Sequence, residues 1–167
     1  TTSSTQGIVM NNSCTALSTN RSTLPHEVGH YFNLYHTHET SFGCEHPDGS
    51  NCATAGDRLC DTPADPVLGT SNVTTSCLYT GAGDNCAATS GFAADPRNFM
   101  SYSRKNCRDY FSPQQLDKMV ATLINLRPEL VNACPTCPAD YDNSGGVDGD
   151  DITAFFADWQ IGAGDID

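Results

Sequence analysis

Residues 37 to 98 constrain the fold more than any other stretch of this chain. Gly, Pro, Asp, Asn, Ser and Thr recur throughout, five cysteines are interspersed, and no helical period persists. A long segment with no apolar face to bury needs disulfides or metal ions to hold its shape. The chain has nine cysteines in 167 residues, a liability in a reducing cytosol unless they bind metal. In an oxidising compartment they brace loop-rich structure, so the chain reads as secreted. Sequons at Asn11, Asn20 and Asn72 are compatible with that. The chain opens on Thr1-Thr2-Ser3-Ser4, so any signal peptide is expected to have been removed or left out.

Charge and hydropathy exclude other classes. The sequence holds 20 acidic and 8 basic side chains, a formal charge of −12, and its few Lys and Arg are scattered, which argues against nucleic-acid binding. No apolar run approaches the roughly eighteen residues of a membrane span. Residues 138 to 167 contain eight Asp and no Lys or Arg, so this tail carries −8 of the −12.

Two helical patterns flank the irregular stretch. Gln6 to Met10 form a β-prone run that reads as the last part of a sheet entering from upstream. Ser22 or Thr23 can cap the first helix, Pro25 is tolerable only in its first turn, and Val28, Tyr31, Phe32 and Tyr35 supply an apolar stripe. Ser112-Pro113-Gln114-Gln115 has the cap, the Pro and the Gln of a second helix start. Leu116, Met119, Val120, Leu123 and Ile124 keep its period until Arg127-Pro128. Cys134-Pro135-Thr136-Cys137-Pro138 reads as a rigid linker and domain boundary.

His26-Glu27-Val28-Gly29-His30 places two imidazoles on one helix face, with Glu27 about 100° around. Asn33 falls where that helix must end, in a left-handed turn for which Gly is best and Asn next. The chain can then double back and bring up His36 as a third ligand, leaving a fourth zinc position for water. His38, Glu39 and His46 are expected to face solvent or stand outside the ligand set.

This arrangement resembles the metzincin zinc endopeptidases, whose Met-turn is matched by Asn98-Phe99-Met100-Ser101-Tyr102. HEVGHYFNLYHTH over residues 26 to 38, Gly56-Asp57, Asp61-Thr62-Pro63-Ala64, Met100-x-Tyr102 and Phe111-Ser112-Pro113 together resemble the pappalysin family, over roughly residues 6 to 127. The resemblance implies an α+β zincin fold: a catalytic domain over residues 1 to 133 with its N-terminal sheet cut short, an active-site helix and an irregular disulfide-braced subdomain. It implies zinc on His26, His30 and His36, and Glu27 as the base that deprotonates a zinc-bound water. Tyr102 would be a switchable ligand or oxyanion donor, with Met100 supporting the site. It also implies pairs Cys52–Cys86 and Cys77–Cys107, leaving Cys44 with Cys60, and a calcium ion on Asp57, the Cys60 carbonyl and Thr62. An Asp-capped turn is the plainer reading of those last residues.

Residues 140 to 151 fit a twelve-residue calcium loop, with Asp140, Asp142, Ser144, the Gly146 carbonyl, Asp148 and Asp151 as ligands. Pro138 forbids a normal entering helix and position 12 is Asp rather than Glu, so residues 139 to 167 resemble a dockerin repeat after a linker at 134 to 138, with a second repeat begun at Gly164. A solvated acidic linker is the alternative. The expected function is a secreted zinc- and calcium-binding endopeptidase acting on polypeptides, its tail docking to a scaffold or cell-surface partner. The competing reading is a calcium-dependent adhesion or scaffold-attachment protein with an inactive or incomplete protease domain.

Overall fold

Ser22 opens the first helix without capping it. It occupies the N-cap position of α1 (Thr23–Tyr31), but its buried hydroxyl donates to the Lys105 carbonyl, 2.8 Å away, rather than accepting from the helix. The sequence marks the position correctly, while the hydroxyl ties the helix to a distant segment. The computed structural model describes residues 7–8, 21–83, 90–131, 142, 144, 149–150, 153–154 and 157. Pro25 lies in the first turn of α1, where it removes no needed donor. The face that α1 buries is that of His26 and Gly29, and the aromatic stripe of Tyr31, Phe32 and Tyr35 is only half-buried.

Helix α1 ends in a Schellman motif. The Asn33 amide donates to the His30 carbonyl and the Leu34 amide to the Gly29 carbonyl, each at 2.9 Å, while Asn33 takes φ 69°. The following chain reverses, and Leu34 is buried with Leu59 and Met100 against Phe111 and Met119.

The second helix, α2 (Pro113–Leu126), starts with the reciprocal pair expected of its sequence. The Ser112 amide donates to Gln115 Oε1 at 2.8 Å, and the Gln115 amide donates to Ser112 Oγ at 3.3 Å. Gln115 is fully buried and also exchanges side-chain hydrogen bonds with Asn98 at 2.9 and 3.1 Å. Asp61 reinforces this end by accepting from Ser112 Oγ and the Gln114 amide, both at 2.7 Å. The apolar stripe read for α2 is covered only in part: Met119 packs on the Leu34–Leu59–Met100 core, Leu116, Val120 and Ile124 are exposed, and the buried residues are Gln115 and Thr122. Spacing identifies a face but does not say whether anything covers it.

The irregular stretch is built from turns, and its only pairings among the described residues are isolated bridges at Val73–Tyr79 and Asn98–Tyr110. Its core is Leu68, Val73, Ala94 and Cys107, with Cys77 and Tyr79 packed alongside. Cys77–Cys107 forms as expected. Cys52 instead pairs with Cys60, Cα–Cα 5.0 Å apart, because successive tight turns from Gly49 to Arg58 fold that segment back on itself. Cys52–Cys86 and Cys44–Cys60 are thereby excluded; Cys44 is itself disulfide-bonded. Asn72 is buried, accepting from the Gly69 amide at 2.8 Å and donating to the Ala82 carbonyl at 3.1 Å, so its sequon is no carbohydrate acceptor in the folded chain.

Contacts divide the chain into Thr1–Thr122 and Leu123–Asp167. The second unit contains α3 (Pro128–Val131), a turn in which the Ser144 amide donates to Asp142 Oδ1 at 2.9 Å, and helical residues at 149–150, 153–154 and 157. Most of the predicted strand at 6–10, the linker at 134–138, and Asp140, Gly146, Asp148 and Asp151 lie outside the described residues.

Candidate active site

Three imidazoles converge where α1 and the chain returning from it meet. Their Nε2 atoms form a triangle of 3.2 Å (His26–His30), 2.9 Å (His30–His36) and 3.2 Å (His26–His36). Ligands about 2.0–2.1 Å from a tetrahedral zinc stand ~3.3 Å apart, so the spacing is that of three metal ligands. Protonation makes the same point. His26 Nδ1 donates to the Phe99 carbonyl at 2.7 Å and His30 Nδ1 to the Leu34 carbonyl at 2.9 Å, which fixes both tautomers and leaves each Nε2 a bare acceptor. The acceptors on His26 and His30 face each other with no proton to share, and a cation between them and His36 Nε2 satisfies both. Burial holds His26 below its ordinary pKa and, helped by the neighbouring imidazoles, pulls His36 down to about 4. Both are therefore neutral, as metal ligands must be.

The support behind these imidazoles comes from the turn at residues 98 to 102. Met100 is fully buried, its carbonyl accepts from the Thr37 amide at 3.2 Å, and its own amide donates to Asn98 Oδ1 at 2.8 Å. Gly29 packs directly beside it: an added Cβ would overlap Met100 Sδ and come within 3.1 Å of Phe111 Cε1, so Met100 would have to shift. Tyr102 is half exposed and packs edge-on to His36, ring centroids 4.6 Å apart. Glu27, His26 and Tyr102 line one cleft.

Residues 2–124 match the Peptidase M43 family, described as pregnancy-associated plasma protein-A. The chain belongs to this family. Its similarity to an extracellular metalloprotease of Colletotrichum graminicola is 35% identity over 98 residues, 58% of this chain and 28% of that protein. With an extracellular metalloprotease of Podospora anserina it shares 35% identity over 94 residues, 56% of this chain and 26% of that protein. With human pappalysin-1 it shares 33% identity over 119 residues, 68% of this chain and 7% of that protein. The chain thus spans about a third or less of these Peptidase M43 relatives.

Several groups around the site stand outside the ligand set read from the sequence. His38 stacks on His36 with centroids 4.9 Å apart and touches Tyr102, so it belongs to the wall of the site rather than to solvent. Asp65, buried at 2% exposure, accepts from Thr37 Oγ1 at 2.5 Å and fixes the turn after the third ligand. Arg108 is 7% exposed, donates to the Ser101 carbonyl at 2.9 Å, and lies 3.5 Å from His26 Nδ1. Asp65 and Arg108 are brought in from remote segments, beyond the reach of local pattern.

Asp57 is buried at 1% exposure and accepts from the Leu59 amide at 3.0 Å and the Thr62 hydroxyl at 2.9 Å. Glu45 Oε2, another group the sequence does not flag, is buried without a hydrogen-bond partner and presses on the backbone at Gly56. The Cys60 amide donates to Gln114 Oε1 at 2.7 Å, which docks this loop on the start of α2.

Proposed function

We propose that this chain is the zinc-binding core of a secreted endopeptidase that hydrolyses polypeptides. The observation that carries the reading is the Nε2 triangle of His26, His30 and His36, with sides of 2.9 to 3.2 Å and the protons of His26 and His30 directed outward. Zinc, when bound by these residues, supplies a Lewis acid that polarises a carbonyl and acidifies water. The protein groups do the rest. Glu27, beside His26 in the same cleft, accepts a proton from the attacking water and delivers it to the leaving amine. The Tyr102 phenol, held edge-on against His36, donates to the oxyanion as it forms. The Phe99 carbonyl holds His26 in register, and Met100 fills the space that Gly29 leaves. Secretion is supported by the relatives' names and by the disulfides. Among the described residues no helix is long and apolar enough to cross a membrane. The test is hydrolysis of casein or gelatin by the full chain and by Glu27→Ala, with bound zinc measured in both; zinc at one equivalent in both and cleavage by the first alone is the expected result.

Calcium is proposed at two places. In the loop, Asp57, the Cys60 carbonyl and Thr62 would ligate it, a reading supported by two buried carboxylates, Asp57 and Glu45, close enough that the Asp57 charge opposes ionisation of Glu45. In the tail, Asp140, Asp142, Ser144, the Gly146 carbonyl, Asp148 and Asp151 would form a second site that orders a dockerin-like repeat for a scaffold or cell-surface partner. That site rests on its ligand spacing, and limited proteolysis with and without chelator tests it: protection of residues 138 to 160 should need calcium.

A further inference from the structure

The cleft that adjoins the histidine triad is cationic in a chain whose formal charge is −12. It encloses about 420 Å³, and its lining joins His26, Glu27 and Tyr102 to Arg104, Lys105 and Arg108. Among these, Glu27 is the only carboxylate and is assigned to the chemistry. Each cation is held in place by groups that leave its charge intact. Arg104 Nε donates to the Val73 carbonyl at 2.6 Å and its Nη2 to the Thr70 carbonyl at 2.8 Å. The Lys105 backbone is fixed by the Ser22 hydroxyl at 2.8 Å, with the side chain left exposed. Arg108 makes its one backbone bond to Ser101, and its Nε is buried with no acceptor. No ion pair neutralises any of the three among the described residues. A buried guanidinium with an orphaned N–H, no ion pair and only Glu27 as a carboxylate in its cleft is an unfavourable arrangement that a further anion would relieve.

We propose that this cleft is a substrate subsite for a carboxylate, so that the enzyme selects peptides bearing Asp, Glu or a terminal carboxylate within a residue or two of the scissile bond. The inference rests on the peptidase reading above. The cleft shares His26 and Tyr102 with the metal site, so a chain whose peptide bond lies at the triad places a neighbouring group in it. The N–H groups that Arg104 and Arg108 do not spend on the Val73, Thr70 and Ser101 carbonyls can donate to a carboxylate's oxygens, and Lys105 adds a mobile charge at the rim.

Three peptides of matched sequence test this with the zinc-loaded full chain. One has Glu beside the scissile bond and an amidated end, the second has Gln there, and the third has Gln with a free terminal carboxylate at that distance. The Glu or free-terminus peptide should exceed the Gln peptide in kcat/KM by at least about tenfold, the effect of one charge-assisted hydrogen bond. Which of the two does so names the source of the carboxylate. Lys105→Glu, a change at an exposed side chain, should bring the ratio toward one, and Arg108→Gln should do the same if the variant folds. Binding of the same peptides to Glu27→Gln, followed by fluorescence anisotropy, reads selectivity without turnover. Hydrolysis and binding that ignore the carboxylate, or a preference untouched by Lys105→Glu, would overturn the subsite and leave the peptidase reading standing. Selective binding with no hydrolysis of any peptide would keep the subsite and sink the peptidase reading.

Discussion

Gly29 and Met100 meet so closely that no side chain fits between them: a Cβ on Gly29 would overlap Met100 Sδ and lie 3.3 Å from Leu34 Cδ1. The contact joins the middle of the zinc-motif helix to the Met-turn, which also holds His26 through the Phe99 carbonyl. Gly29→Ala is therefore expected to destabilise the chain by about 1–3 kcal/mol, despite the higher helix propensity of Ala. Urea denaturation measures it, and an unchanged or raised midpoint would contradict the contact.

Asn33 should behave as a backbone residue. At φ 69° and exposed to solvent, it is used for its tolerance of the left-handed conformation that closes α1. Asn33→Gly should be neutral within about 0.5 kcal/mol, and Asn33→Val should cost about 1–2 kcal/mol and weaken zinc binding by moving His36. Thermal melts together with a zinc-chelator competition would show it; equal stability of the two variants would not fit.

Peptide mapping under non-reducing conditions should recover Cys52 linked to Cys60 and Cys77 linked to Cys107. The first pair encloses a sequence separation of 8 and the second of 30. On loop-closure grounds the double variant Cys77→Ser/Cys107→Ser should lose more stability than Cys52→Ser/Cys60→Ser, by about 1 kcal/mol. A Cys52–Cys86 peptide in the map would refute the observed pairing.

These features show which parts of the molecule were legible in its residues. The histidine triad, the Asn33 turn and the Ser112–Gln115 box are each set by local geometry over a few residues, so spacing and residue type suffice. The partner of Cys52 was not legible, because it depends on how turns stack between Gly49 and Arg58, and a family resemblance assigned it wrongly. How much of the α2 stripe is covered was not legible for a related reason. Gln115 is buried because Asn98, from a distant turn, satisfies its amide, whereas Leu116 and Val120 stay exposed. Arg108, Asp65 and Glu45 enter from segments whose proximity no local pattern encodes.

Glu45 supplies a pH test. Burial, then the Asp57 charge, push its carboxyl up to about 7, against roughly 4.3 in an unfolded chain. An acid raised on folding leaves stability intact below its unfolded pKa and removes it as pH climbs through the folded value. In calcium-free buffer Glu45→Gln should accordingly raise the melting temperature at pH 8 and leave it nearly unchanged at pH 5. A shift of the same size at both pH values would show that the carboxylate is not strained by burial.

The most direct measurement of the central claim is zinc content and peptide hydrolysis determined side by side for the native chain, Glu27→Ala and His36→Ala. The native chain should bind one equivalent of zinc and cleave. Glu27→Ala should keep the zinc and lose about 10²–10⁴-fold in kcat/KM, and His36→Ala should lose both. Absence of zinc from the native chain, or cleavage undiminished in Glu27→Ala, would contradict it.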